Sequence, residues 1–242
     1  MTAEPPNVAI LEDIADRLPD KGRAWKLRGL SKQVVNSHSC LADLRYAKQI
    51  LELLDRSWIA QGIEEHHKLQ IQHSLTCNAV VLYCRATVGG RKGGGRGSSD
   101  IASKLSSEAK ENHDQIIEFR NKIIAHVHVG HALNGYAWNP SHAVVIREPD
   151  GWTIGAVSRP LSLQEPISNA LKTNVPAAID IVQARHERYI DLVWPLLQSL
   201  DDDGPIYECM QDSAKLLGSK DAAWAVLRGR VDGSTFGIGR ED

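Results

Sequence analysis

A mainly helical chain, an antiparallel bundle of long helices with one β-hairpin inserted before the last of them, is what this sequence predicts. Three observations carry that expectation. Residues 38–60 repeat apolar residues at three-four spacing, the period of a helix buried on one side, and a second long helical stretch, 63–88, follows. Residues 142–147 and 152–157 are instead rich in β-branched residues and flank Glu-Pro-Asp-Gly, a turn sequence. A further long apolar-periodic stretch follows at about 175–198.

Taken in order, residues 7–18 and 22–36 read as two short helices, the first broken by Pro19. Residues 38–60 read as a separate, stronger helix, with Leu41, Leu44, Leu51 and Leu54 in register, ended by Gly62. The next helix spans 63–88, with Leu69, Leu75, Val80 and Leu82 inside it. The glycine-dense segment 89–99 follows, and no helix or strand survives that density of glycine. Asp100 or Ser99 is a suitable N-cap for a helix running to about Val127. The hairpin comes next, then a helix over 175–198 with Pro176 in its first turn. Asp201-Asp-Asp-Gly-Pro breaks the chain, and the rest gives one or two short helices and a Gly-rich tail. The expected organisation is an N-terminal helical extension (1–36), a helical domain (37–200) and a C-terminal appendage (201–242).

Composition narrows the function classes. The chain has 242 residues, enough for one large domain or one domain with a small appendage, and 42% are hydrophobic, enough for a real core. A net charge of −2 gives no global basic signature, so any nucleic-acid site is a local patch. Met-Thr-Ala-Glu-Pro-Pro lacks the basic and apolar regions of a signal peptide, and no apolar run approaches the ~18 residues of a membrane span. Cys40, Cys77, Cys84 and Cys209 form no short-spaced pair and read as reduced thiols, so a cytoplasmic location without membrane contact is expected. No nucleophile elbow, dinucleotide fingerprint, P-loop or His-Glu-x-x-His occurs, which removes the commonest hydrolase and oxidoreductase readings.

The informative segment is Phe119-Arg120-Asn121-Lys122-Ile123-Ile124-Ala125-His126. At 100° per residue, Phe119, Ile123, Val127, Ile124 and Ile117 share one apolar arc of roughly 160°. Arg120 lies inside that arc and His126 at its edge. An arginine cannot be neutralised, and leaving it buried and unpaired costs on the order of 3–5 kcal/mol. A stripe that accepts Arg120 therefore faces something other than a dry core.

Arg-Asn, four residues, then His at the end of an amphipathic helix resembles the HEPN superfamily. Its mark is Arg, four to six residues, then His, often with a polar residue after the Arg. The wording RNKIIAH is most similar to the abortive-infection branch. The resemblance implies a HEPN-like antiparallel helical bundle, a homodimer, and in active members metal-independent RNA cleavage as a toxin or phage-defence effector, with an antitoxin or other regulatory partner possible and no cofactor. It also implies a composite site across a two-fold axis. On a regular helix Arg120 and His126 point about 120° apart, so one helix does not converge both on one phosphate unless its end is distorted. In a subset of HEPN toxins a Tyr two residues after the motif His is modified by the antitoxin. Here that residue is His128, which departs from the pattern.

The chemistry of these groups suits that activity. His126 titrates near neutrality and serves as base or acid, Arg120 offers a planar fork to phosphate oxygens, and Asn121 orients either. Lys122, Asn112, His113 and His128 are candidate substrate contacts near the motif. Arg91, Lys92 and Arg96 in the glycine-rich loop form a candidate RNA clamp, or else a solvated linker. Three other readings stay open. In one, Arg120 pairs with a buried carboxylate and His126 caps the helix, so that the motif only holds a dimer together or binds nucleic acid without cutting it. In another, His126, His128 and His131 hold a metal in a regulator, although no carboxylate or Cys joins them. In the third, of Asn112 and His113, one is a satisfied core residue and the other lies at the surface.

Overall fold

The computed structural model describes residues 5–59, 62–88, 99–124, 132–133, 136–137, 141–149, 151–158, 164–200 and 204–227. Its elements are α1 (Leu11–Arg17), α2 (Lys21–Ile59), α3 (Glu65–Thr87), a 3-10 turn (Ala102–Lys104), α4 (Ser107–Phe119), a π turn (Arg120–Ile124), β1 (Ala132–Leu133), β2 (Tyr136–Ala137), β3 (Ser141–Glu148), β4 (Gly151–Ser158), α5 (Gln164–Gln198), α6 (Pro205–Glu208), α7 (Ser213–Leu217) and α8 (Lys220–Leu227). The fold is mainly helical, with two antiparallel two-stranded ladders, β1–β2 and β3–β4. Among the described residues no helix is long and apolar enough to cross a membrane.

Three expectations about the helices are corrected. The stretches 22–36 and 38–60 are one helix of 39 residues. At the join between the two stretches the Ser37 hydroxyl donates to the carbonyl oxygens of Gln33 and Val34 one turn back, so its polar group is satisfied inside the helix. Second, α4 begins at the Ser106 cap, whose side chain accepts the Ala109 N–H, and ends at Phe119 in a π turn. Asp100 instead lies just ahead of the 3-10 turn and accepts from the Ala102 N–H at 3.1 Å. Third, α5 begins at Gln164, so Pro166 occupies its first turn and Pro176 lies in its interior. Proline in a helix interior forgoes one backbone bond, a loss that the burial of Ile167, Leu171, Val175, Ala178 and Val182 along one face outweighs. The chain from 204 to 227 forms three short helices, and the rest of the tail lies outside the described residues.

Backbone contacts divide the chain into two compact units. One joins Met1–Ala42 to Ala184–Asp242, so the first and last segments belong together and the divisions fall inside α2 and α5. A bridge between Val8 and Gln211 ties its ends, and Arg17 meets Glu208 at 2.9 Å. Its core is Ile14, Ala15, Leu27, Val193 and Cys209, with Leu18, Leu30, Leu196 and Ile206 packed around it. The other unit, Asp43–Gln183, contains the motif helix and the hairpin. Its buried residues include Leu44, Leu51 and Leu54 on α2, Val80 and Tyr83 on α3, Ile116 and Phe119 on α4, and Leu171 on α5. Asp43, buried on α2, receives the guanidinium of Arg85 from α3. Lys172 on α5 pairs with Asp55 on α2.

The expected hairpin is present. Its strands pair with Glu148 opposite Gly151, Arg147 opposite Trp152 and Val145 opposite Ile154. The β1–β2 ladder, only two residues per strand, has no counterpart among the elements expected from the sequence.

Candidate functional site

Helix α4 presents the motif. Ala109, His113, Ile116 and Phe119 form its buried face, at the spacing an amphipathic helix needs. The polar member of that face, His113, finds its partner on α3, and α5 braces that partner. The Tyr83 hydroxyl of α3 lies 2.9 Å from His113 Nδ1, and Asn174 of α5 donates both to that hydroxyl (3.3 Å) and to the Ala109 carbonyl (2.7 Å). Burial pushes the His113 imidazole towards its neutral form, against the opposing charges of Asp114 and Asp100. Burial also pushes the Tyr83 phenol well above its ordinary range. A neutral imidazole with a bare Nδ1, accepting from a protonated phenol, satisfies both shifts and leaves the Tyr83 oxygen free to accept from Asn174. His113 is thus held in the core, while Asn112 beside it is half-buried.

After Phe119 the helix widens. The Arg120 N–H is shared between the carbonyls of Ile116 and Ile117, and Arg120–Ile124 form one π turn. Such turns are rare and recur at functional sites. Phe119 takes the core position and Arg120 is exposed. The balance follows from desolvation: an aromatic ring gains from burial, whereas an unpaired guanidinium loses. Arg120 Nη1 donates to Asn121 Oδ1 at 2.9 Å, and Asn121 is exposed too. Lys122, half-buried, pairs with Glu118 one turn back. The Arg120 charge is felt at Cys84 near the end of α3, where burial pushes the thiol up to about 12 and the guanidinium acts in the opposite sense.

No protein-family model, no curated protein and no solved structure matches this chain. The site therefore stands on its own geometry. The described part is an exposed arginine–asparagine pair on a distorted helix end, with α4 anchored through His113 and Tyr83 below it. His126 and His128, the loop residues Arg91, Lys92 and Arg96, and His131 of the candidate metal cluster all lie outside the described residues. Among the described residues, no three His, Cys, Asp or Glu gather as a metal-holding group.

The sequence alone does not mark Tyr83 or Asn174. Tyr83 falls at three-four spacing with Ala79 and Val80, which reads as ordinary core. Asn174 stands just before Val175-Pro176, where the sequence pattern predicts the start of a helix.

Proposed function

We propose that this chain is a metal-independent endoribonuclease of the HEPN type, a homodimer that acts as a toxin or phage-defence effector on RNA. The observation that supports it most is Arg120, exposed on a π turn, with its guanidinium held by Asn121 at 2.9 Å. A cation that served only to close a core would be paired with a buried carboxylate, and this one faces water beside a neutral amide.

In this reading His126 takes the proton from a ribose 2′-hydroxyl. The 2′-oxygen attacks the adjacent phosphorus, and Arg120 holds the phosphate oxygens as their charge grows. The bond to the 5′-oxygen breaks and that oxygen leaves with a proton. Asn121 keeps the guanidinium in its plane. As the resemblance to HEPN dimers implies, two chains meeting about a two-fold axis complete the site.

Incubation of the purified protein with total RNA, with and without EDTA, tests the chemistry. The expected products end in 2′,3′-cyclic phosphate and 5′-hydroxyl, at the same rate in both conditions. Products with 3′-hydroxyl ends, or cleavage abolished by EDTA, would overturn it and redirect attention to His126, His128 and His131 as metal ligands.

A further inference from the structure

The β3–β4 hairpin is two strands of eight residues with both outer edges unpaired among the described residues. One face carries Val145, Arg147, Trp152 and Ile154, with Val145 opposite Ile154 and Arg147 opposite Trp152. That face is open to water: Val145 is 66% exposed, Trp152 69% and Ile154 80%. The Arg147 guanidinium covers part of the indole, 5.4 Å from the ring centroid, and Ile154 is the more exposed of the two β4 residues. An isolated two-stranded hairpin is marginal in water, and three or more strands with an apolar face are what make a sheet stable.

The two strands differ as edges. β3 carries His142, Arg147 and Glu148. β4 reads Gly-Trp-Thr-Ile-Gly-Ala-Val-Ser and has no ionisable side chain. Edge strands are ordinarily protected by Lys, Pro or a charged residue pointing inward, and β4 has none of these. We propose that the edge of β4 pairs antiparallel with β4 of a second copy of this chain, giving a four-stranded sheet in the order β3-β4-β4-β3.

Charge and symmetry select this occupant. A two-fold axis sets a strand antiparallel to itself, and residues equidistant from the axis then face one another on the same side of the sheet. Trp152 and Ile154, two apart, stay on one face with their counterparts, where aromatic and β-branched cross-strand pairs are favourable. A chargeless strand meets its own copy with no like charges opposed. An acidic or basic peptide finds no counter-charge on β4, and on the exposed face of the described hairpin a nucleic acid meets Arg147, already engaged with Trp152. Eight residues of edge span about 27 Å. The area such an edge buries falls short of the ~800 Å² per partner of a standard interface, so the association is weak and concentration-dependent. Pairing through β4 uses a surface other than the arginine motif; where the motif also holds a dimer, β4 pairing joins two such dimers, and its loss leaves the nuclease reading intact.

The test is sedimentation equilibrium of the full chain from low micromolar to submillimolar concentration, with amide exchange of residues 151–158 followed over the same range. The expected result is a reversible association step across this range, in which the β4 amides gain protection as concentration rises. Ile154→Lys, which places a charge in the middle of the edge, should weaken that step by at least an order of magnitude. Ile71→Lys, a change at an exposed apolar residue of α3, should not. No association step across the range, a step indifferent to Ile154→Lys, or β4 protection independent of concentration would each overturn the proposal. The exchange measurement on the unaltered chain stands even if Ile154→Lys disturbs the hairpin.

Discussion

Tyr83→Phe removes one oxygen from the centre of the network beneath the motif helix, and its cost follows from the contacts. Tyr83 is fully buried, so the change leaves the ring packing in place and opens almost no cavity. It leaves Nδ1 of His113, itself buried, without its partner at 2.9 Å. Asn174 loses its longer bond and keeps the one to the Ala109 carbonyl at 2.7 Å. A buried polar group stripped of its partner costs about 1–3 kcal/mol, so the variant should lose that much stability. The assay is urea unfolding followed by far-UV circular dichroism, with an earlier midpoint and unchanged slope. Removing both partners together, in Tyr83→Phe with His113→Leu, should cost less than the two single losses added, because neither group is then orphaned. A single variant within about 0.5 kcal/mol of the parent, or strictly additive losses, would refute the anchoring role.

Other outcomes follow from the same geometry. His113 has a folded-state pKa lowered by burial, so between the ordinary histidine value of about 6.5 and the folded value the unfolded chain binds more protons. Stability should be complete above that ordinary value and fall as pH drops below it, and His113→Leu should reduce this slope; His73, lowered by burial in the same sense, keeps a share of it. Gly218 ends α7 at φ +88° in open space, so Gly218→Ala should cost about 1–2 kcal/mol in thermal unfolding through backbone conformation alone. Replacing Arg91, Lys92 and Arg96 together by Ser should flatten the salt dependence of single-stranded RNA binding, by ~0.7 in slope for each phosphate no longer neutralised. An unchanged slope would assign that loop to linker duty.

Periodicity makes the helical class and the hairpin legible, because burial of one face writes itself into spacing. Helix ends are harder to read. The stretches 22–36 and 38–60 read as separate helices, but α2 runs through both, with the Ser37 hydroxyl satisfied by carbonyls of its own helix. Pro176 reads as a start, since isolated helices reject an interior proline. In α5 the buried residues on both sides of it carry the helix through. At the candidate site, the oddity of Arg120 on an apolar arc is visible in the sequence and its resolution is not. A wheel at 100° per residue assumes a uniform helix, whereas a π turn begins at Arg120 and Phe119 takes the core position. Tyr83, the partner of His113, lies 30 residues away in sequence, and Asn174, which braces Tyr83, lies 91 residues from it, beyond the reach of any local pattern.

The action of Arg120 and His126 on RNA that we propose is read most directly from the cleavage rates of matched variants. His126→Ala should lower cleavage by roughly 10²–10⁴-fold with the circular dichroism spectrum unchanged, as loss of a general acid or base does. Arg120→Lys should fail as well, because an ammonium cannot reproduce the planar two-pronged contact with phosphate. Cleavage that survives both substitutions would contradict the account.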